Sequence, residues 1–219
     1  MNRLAVFDCD GTLVDSAANI CLAMEACFAK AELALPPRHL TRRIVGLSLV
    51  EAVRTLHPEA PHERHVAMAE DYKQAFHDLR ARGLVAEPLF DGMAEAISAI
   101  DAAGWLLGVA TGKSDRGLGL CLDHHGLKHR FVTLQTADRH PSKPHPAMLA
   151  AAMAETGATP ASTVMIGDTA FDIGMAKQAG VTAIGVAWGY HDAEELFAEG
   201  ADHVVAHPAE LPPLLESLL

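Results

Sequence analysis

Five short apolar runs recur along the chain: Arg3–Asp8, Trp105–Ala110, Phe131–Leu134, Thr163–Ile166 and Thr182–Val186. Each is apolar on both faces and bounded by glycine or polar residues, as strands buried in a parallel sheet are. Helical patterns separate them. Asp91 opens one, with Met93, Ile97 and Ile100 on one face and Gly104 as its stop. Ser114 opens another, with Leu118, Cys121 and Leu122, stopped by Gly126. Pro144–Glu155 ends at Gly157 and Thr169–Ala179 at Gly180. Polar starts and glycine stops are the expected cap chemistry. Strand–helix alternation predicts an α/β fold built on a doubly wound parallel sheet.

Residues 14–83 follow a different rule. Ile20, Met24, Cys27, Phe28 and Ala31 form one helical stripe. Ser48 and Glu51 have the spacing of a capping box ahead of Leu49, Val53 and Leu56, with Pro58 as a stop. Val66, Ala69, Tyr72, Phe76 and Leu79 form a third stripe, closed by Gly83. No strand pattern interrupts them. The expected organisation is a core of residues 1–13 and 84–219 with an all-helical insert at 14–83.

Charge divides along the same line. The 28 acidic and 17 basic residues leave a formal charge of −11. The insert holds nine of each, so the deficit lies wholly in the core. A chain without a basic excess does not suit nucleic acid or an anionic membrane surface. No apolar run has the length of a membrane span. The N-terminus turns acidic at Asp8 and Asp10, before a secretory core could form. Cys9, Cys21, Cys27 and Cys121 contain no CxxC pair and read as reduced, buried thiols of a cytoplasmic protein. The histidines around 57–65 and 124–129 lack metal-ligand spacing and read as solvated or helix-terminal. The C-terminal stretch from His191 has seven acids and no lysine or arginine, and reads as a solvated face.

Ligands of open α/β sheets bind beyond the carboxyl ends of the strands. After the first run come Asp8, Cys9, Asp10, Gly11 and Thr12. After the second come Thr111, Gly112 and Lys113; a later loop carries Lys143 between Pro141 and Pro144; after the fourth come Gly167, Asp168 and Asp172. Taken singly, each has an ordinary reading. Asp8 and Asp10 could be a turn, Asp168 a helix cap, Thr111-Gly112 a turn, Lys143 a surface lysine and Asp172 a solvated helical acid. Converging on one rim, they suit phosphoryl transfer. Clustered carboxylates need a counterion, and oxygen ligands suit a hard divalent cation such as magnesium. Gly112 lets a backbone N–H approach an oxyanion, and Lys143 adds a positive charge. Aspartate is a competent nucleophile toward phosphorus.

These residues carry a resemblance. The stretch from Asp8 to Ser16, Thr111-Gly112, Lys143-Pro144 with Pro146, and Gly167-Asp168 to Asp172 resemble, in order, the four motifs of the haloacid dehalogenase-like hydrolase superfamily. The resemblance is to its phosphoglycolate-phosphatase-like group, which has a Rossmann-like core and a helical cap. It implies magnesium-dependent hydrolysis of a small phosphorylated metabolite. Asp8 would be the nucleophile, and Asp10 would protonate the leaving alcohol and then activate water. Asp8, the Asp10 carbonyl and Asp168 would bind magnesium, supported by Asp172 as ligand or neighbour. Thr111, Gly112 and Lys143 would hold the phosphoryl oxygens.

Asp10 argues against the dehalogenase and phosphonate-cleaving branches, which lack that second aspartate. A sugar-phosphate mutase keeps both aspartates and is the first alternative. A silent phosphoanion-binding module is the second. Substrate choice is expected in the insert, with Arg42 and Arg43 as readers of an acidic leaving group. The oligomeric state is not legible.

Overall fold

The computed structural model describes residues 2–218. Six parallel strands form one sheet: β1 (Asn2–Phe7), β2 (Leu106–Thr111), β3 (Phe131–Thr136), β4 (Ala158–Gly167), β5 (Thr182–Val186) and β6 (His203–Val205), in the order β3-β2-β1-β4-β5-β6. The chain builds outward from β1 to β3, then returns to β1's other side with β4. That reversal makes the gap between β1 and β4 the switch point of a doubly wound sheet. Phe7 pairs with Ile166 in register, and the Asp8 amide donates to the Ile166 carbonyl at 2.9 Å. The residues following these strands therefore emerge side by side.

Alternation along the strands sends side chains to opposite faces. Ala5, Phe7, Leu107, Val109 and Ile166 pack on one face against α5 (Met93–Ala102), α6 (Asp115–His124) and α10 (Leu211–Ser217). Leu4, Val6 and Met165 pack on the other against α7 (Ala147–Thr156), α8 (Ala170–Ala179) and α9 (Ala193–Glu199). Both layers are closed to water, and each fully buried side chain of this size contributes about 1.5–3 kcal/mol of hydrophobic stabilisation.

Between β1 and α5 lie α1 (Ala17–Lys30), α2 (Arg38–Arg43), α3 (Leu49–Leu56) and α4 (His62–Ala81). They enclose their own apolar cluster of Met24, Cys27, Phe28, Val53, Met68 and Tyr72. An isolated antiparallel bridge between Val14 and Leu89 ties the outgoing and returning chains together. The insert is thus a separate helical layer hung on the end of β1.

Several local expectations need correction. The Ser48 side chain does not cap α3; its amide donates to Ser142 Oγ at 2.8 Å, and Glu51 pairs with Arg54. The tertiary contact with the core displaces the capping box. Helix α7 starts at Ala147 rather than Pro144, because the chain from Ser142 to Pro146 turns to deliver Lys143 inward. Val66 is 40% exposed, so the buried face of α4 runs through His65, Met68, Ala69 and Tyr72 instead. His65 is buried, its Nε2 within 2.9 Å of the His57 carbonyl. Beyond His191 the chain forms α9, β6 and α10, with Leu196, Leu211 and Leu215 buried. Short elements interleaved with exposed acids hide this pattern. All four cysteines are free and buried. No helix among the described residues is long and apolar enough to cross a membrane.

Candidate active site

Asp8 leaves β1 fully buried. Its Oδ1 accepts from Lys143 Nζ at 2.8 Å, while Oδ2 has no hydrogen-bond partner. Burial raises the Asp8 pKa to about 7; Lys143 opposes the shift, and Asp172 and Asp10 add to it. Asp168 follows β4 and is also fully buried. Its Oδ1 accepts from Thr12 Oγ1 at 2.8 Å and its Oδ2 from the Tyr190 amide at 2.9 Å. Burial, Asp8 and Asp172 together push its pKa well above the usual carboxylate range.

Asp172 is held by the start of α8. Thr169 is the N-cap there, and its amide and hydroxyl donate to Asp172 Oδ2 at 3.1 and 2.7 Å. The capping box therefore fixes Asp172 as well as the helix. Asp172 Oδ1 accepts from Lys143 Nζ at 2.6 Å. Lys143, drawn in by its loop, bridges the first and fourth strand ends. Burial disfavours its charge, but Asp172 and Asp8 outweigh that and hold its pKa above that of a free lysine. The counterion expected for the acid cluster is thus supplied in part by the chain itself.

Ligand atoms of Asp8, Asp168 and Asp172 all lie within 4.8 Å of one another. Three buried carboxylates, one with an unpartnered oxygen, against a single lysine leave negative charge over. An all-oxygen donor set of that kind fits a hard divalent cation. Gly11 makes the approach possible: at φ +91° it turns the chain, and a Cβ there would sit 2.2 Å from Asp168 Oδ2.

Asp10 lies beside this cluster, 6% exposed. The Ser16 hydroxyl donates to its Oδ1, and Lys113 Nζ lies 2.9 Å from the same oxygen. Lys113 also pairs with Glu87 at 2.6 Å, and Arg80 pairs with Glu87 at 2.9 Å. Burial works against the Lys113 charge, but Asp10, Cys9 and Glu87 prevail and hold its pKa well above the usual value. Lys113 was visible after Thr111-Gly112, but its role depends on Glu87, 26 positions away in the chain. Tyr190, 3.4 Å from Ser16 through its hydroxyl, had no sequence signal either.

Thr111 is buried at the end of β2, accepting from the Lys113 amide at 3.2 Å through Oγ1. Gly112 lines a cavity of about 390 Å³ between insert and core, with Asp10 also in its wall. A second cavity of about 730 Å³ shares Gly112 and reaches Lys143. Arg42 and Arg43 line neither. Arg43 instead makes a bidentate pair with Glu195 of α9, at 2.7 and 3.2 Å, and Arg42 lies against Cys21. Short α2 leaves both arginines exposed, with Arg43 held against the core rim.

A doubly wound core with an acid cluster at its switch point, roofed by inserted helices, defines the class: a capped α/β protein with its site at the strand ends. A family profile for haloacid dehalogenase-like hydrolases matches residues 5–186, and the chain belongs to that family. It is a phosphatase of the family, similar to its phosphoglycolate phosphatases. The probable phosphatase IndB of Dickeya dadantii is 36% identical over 100% of this chain and 96% of its own length. Tyrosine-protein kinase PtkA of Mycobacterium tuberculosis is 31% identical over 99% of this chain and 72% of its own. A phosphoglycolate phosphatase of Pseudomonas putida is 30% identical over 93% and 76%. The crystal structure of a predicted phosphatase from Clostridium acetobutylicum superposes with a TM-score of 0.88 at 25% identity, covering 99% of both chains.

Proposed function

We propose that this chain hydrolyses a small-molecule phosphate monoester with magnesium, through an aspartyl phosphate on Asp8. The observation that carries the reading is Asp8 itself: a buried carboxylate at the switch point, with one oxygen on Lys143 and the other unpartnered. Asp8 attacks phosphorus, forming a carboxyl–phosphorus bond as the bond to the leaving oxygen breaks. Asp10 gives its proton to that oxygen. Asp10 then takes a proton from water as water attacks phosphorus, and the bond to Asp8 breaks to release phosphate. Ser16 and Lys113 orient the Asp10 carboxyl for both transfers.

Lys143, Thr111 and the Gly112 amide would hold the phosphoryl oxygens. Asp8, Asp168 and the main-chain carbonyl of Asp10 would hold magnesium, with Asp172 beside them. When bound, the ion neutralises carboxylate charge and stabilises negative charge on the transferring group.

The test is phosphate release from p-nitrophenyl phosphate and a set of phosphorylated metabolites, with and without magnesium. Asp8→Asn is expected to abolish release; retained turnover in a clean preparation of this variant would refute the aspartyl-phosphate route. Migration of phosphate within a hexose phosphate, without release, would favour a mutase instead.

A further inference from the structure

The 390 Å³ cavity has Asp10 and Gly112 in its wall together with residues of both insert and core, so a leaving group joined to the phosphoryl group can occupy it. Its walls are largely apolar: Ile20, Met24, Ile44, Val45 and Phe76 from the insert and Leu120 of α6 line it, with His77, Ser114 and Asp138 among the polar members. The six apolar side chains offer no hydrogen bond to a hydroxyl. Against them a polyhydroxylated leaving group would lose its water without compensation. The volume lies within the range of small-molecule sites, far beyond what a two-carbon alcohol fills.

The charges at the cavity differ in how far they are satisfied; Asp138, also in its wall, accepts from the Asp115 amide at 2.9 Å. Lys73 pairs with Glu70, Arg80 with Glu87, and Lys113 with Asp10 and Glu87. Arg116, in the first turn of α6, lines the cavity and has no ion-pair or hydrogen-bond partner among the described residues. The Tyr72 hydroxyl also has no partner among them and is a neutral polar handle in the wall.

From this we infer that the substrate is a phosphate monoester whose leaving group has a ring-sized apolar body and a carboxylate, read by Arg116. The inference rests on the phosphatase reading above, and it names the substrate class that reading leaves open. The apolar body replaces water against the walls, and the planar guanidinium meets the carboxylate in a bidentate pair. A neutral sugar phosphate such as glucose 6-phosphate meets neither condition, and 2-phosphoglycolate meets only the charge.

The experiment compares four esters with magnesium: phosphorylated 3-(4-hydroxyphenyl)propionate, 4-propylphenyl phosphate, 2-phosphoglycolate and glucose 6-phosphate. The first two share a leaving phenol and differ in the carboxylate. The carboxylated aryl ester is expected to have the highest kcat/KM, at least tenfold above its uncharged isostere. Arg116→Ala is expected to cut that ratio at least tenfold, through KM. A preference for glycolate or glucose, or a ratio unmoved in Arg116→Ala, overturns the inference.

A calorimetric arm needs no turnover. Free 3-(4-hydroxyphenyl)propionate is expected to bind the wild-type protein and to bind Arg116→Ala about tenfold more weakly. If it binds in this way but no ester is hydrolysed, the phosphatase reading falls and the site stands. If p-nitrophenyl phosphate is hydrolysed and the phenol does not bind, the site falls and the phosphatase reading stands.

Discussion

Gly112 and Leu47 meet across the boundary between core and insert: a Cβ on Gly112 would lie 2.4 Å from the Leu47 carbonyl oxygen. The Gly46 carbonyl oxygen would be 2.8 Å away. These are backbone atoms and cannot swing aside as a flexible side chain would. Gly112→Ala should therefore hold the insert off the core. A displacement on the order of 1 Å at a reacting centre can cost about 10²-fold in rate. The expected result is a loss of that order in kcat/KM, with little change in thermal stability, because both hydrophobic layers of the core are untouched. Phosphate release and a melting curve on the same preparation check it; wild-type turnover would show that the seating is dispensable.

Lys113 sits between two buried acids, Asp10 and Glu87. Burial tends to raise the Glu87 pKa, but Lys113 and Arg80 more than offset it and hold it below the usual range. Lys113→Met removes the shared cation, leaving Asp10 without an ion pair and Glu87 with Arg80 alone. The expected destabilisation is about 3 kcal/mol, read from denaturant unfolding. Glu87→Gln in the same background should recover part of it, and strict additivity of the two changes would contradict the coupling.

The raised Asp8 pKa has a definite sign in stability. The folded chain holds the Asp8 proton more tightly than the unfolded chain, so this stabilisation is full below the ordinary aspartate value of 3.8. It is lost as pH rises to about 7. In metal-free protein, Asp8→Asn should gain stability relative to wild type across that interval and level off above it. Unfolding of both proteins at a series of pH values, in chelator, measures the gap. A gap that does not change with pH would contradict the shift.

Divalent cation and proton compete for the same carboxylates. The gain in melting temperature on adding magnesium should grow between pH 5 and 8, over roughly the range set by Asp8, because binding needs ionised ligands. Asp168→Asn should abolish most of the gain. A pH-independent gain would place the ion elsewhere.

The Arg43–Glu195 pair joins insert to core at the surface, with the two side chains 48% and 34% exposed. Water screens such a pair, so Arg43→Ala should cost under about 1 kcal/mol in stability. Its effect on KM should be the same for carboxylated and uncharged esters, since the residue does not line the cavity. A selective effect on the carboxylated ester would return Arg43 to the role the sequence suggested.

Much of the site was legible because its chemistry is local. Asp8, Asp10, Thr111, Lys143, Asp168 and Asp172 each follow or flank a run whose pattern reads as a strand or helix start. Parallel strands must end on one rim, so their neighbours could be grouped without coordinates. The helical insert could be read from three stripes of period 3.6.

What only the tertiary structure decided is pairing at a distance. Sequence periodicity reports which way a side chain faces on its own element, not which element it meets. Lys143 could be read as a positive charge, but its bridging of Asp8 and Asp172 depends on the fold bringing residues 135 and 29 positions apart into contact. The Lys113–Glu87–Arg80 chain, the seating of Leu47 on Gly112, and the turning of Arg43 toward Glu195 belong to the same class. The sequence by itself determined the fold class and the chemistry at the strand ends, because burial patterns and strand ends are local properties. Packing of the insert against the core decided which cations remain free to meet a substrate, because ion pairs form between whichever charges the fold brings within reach.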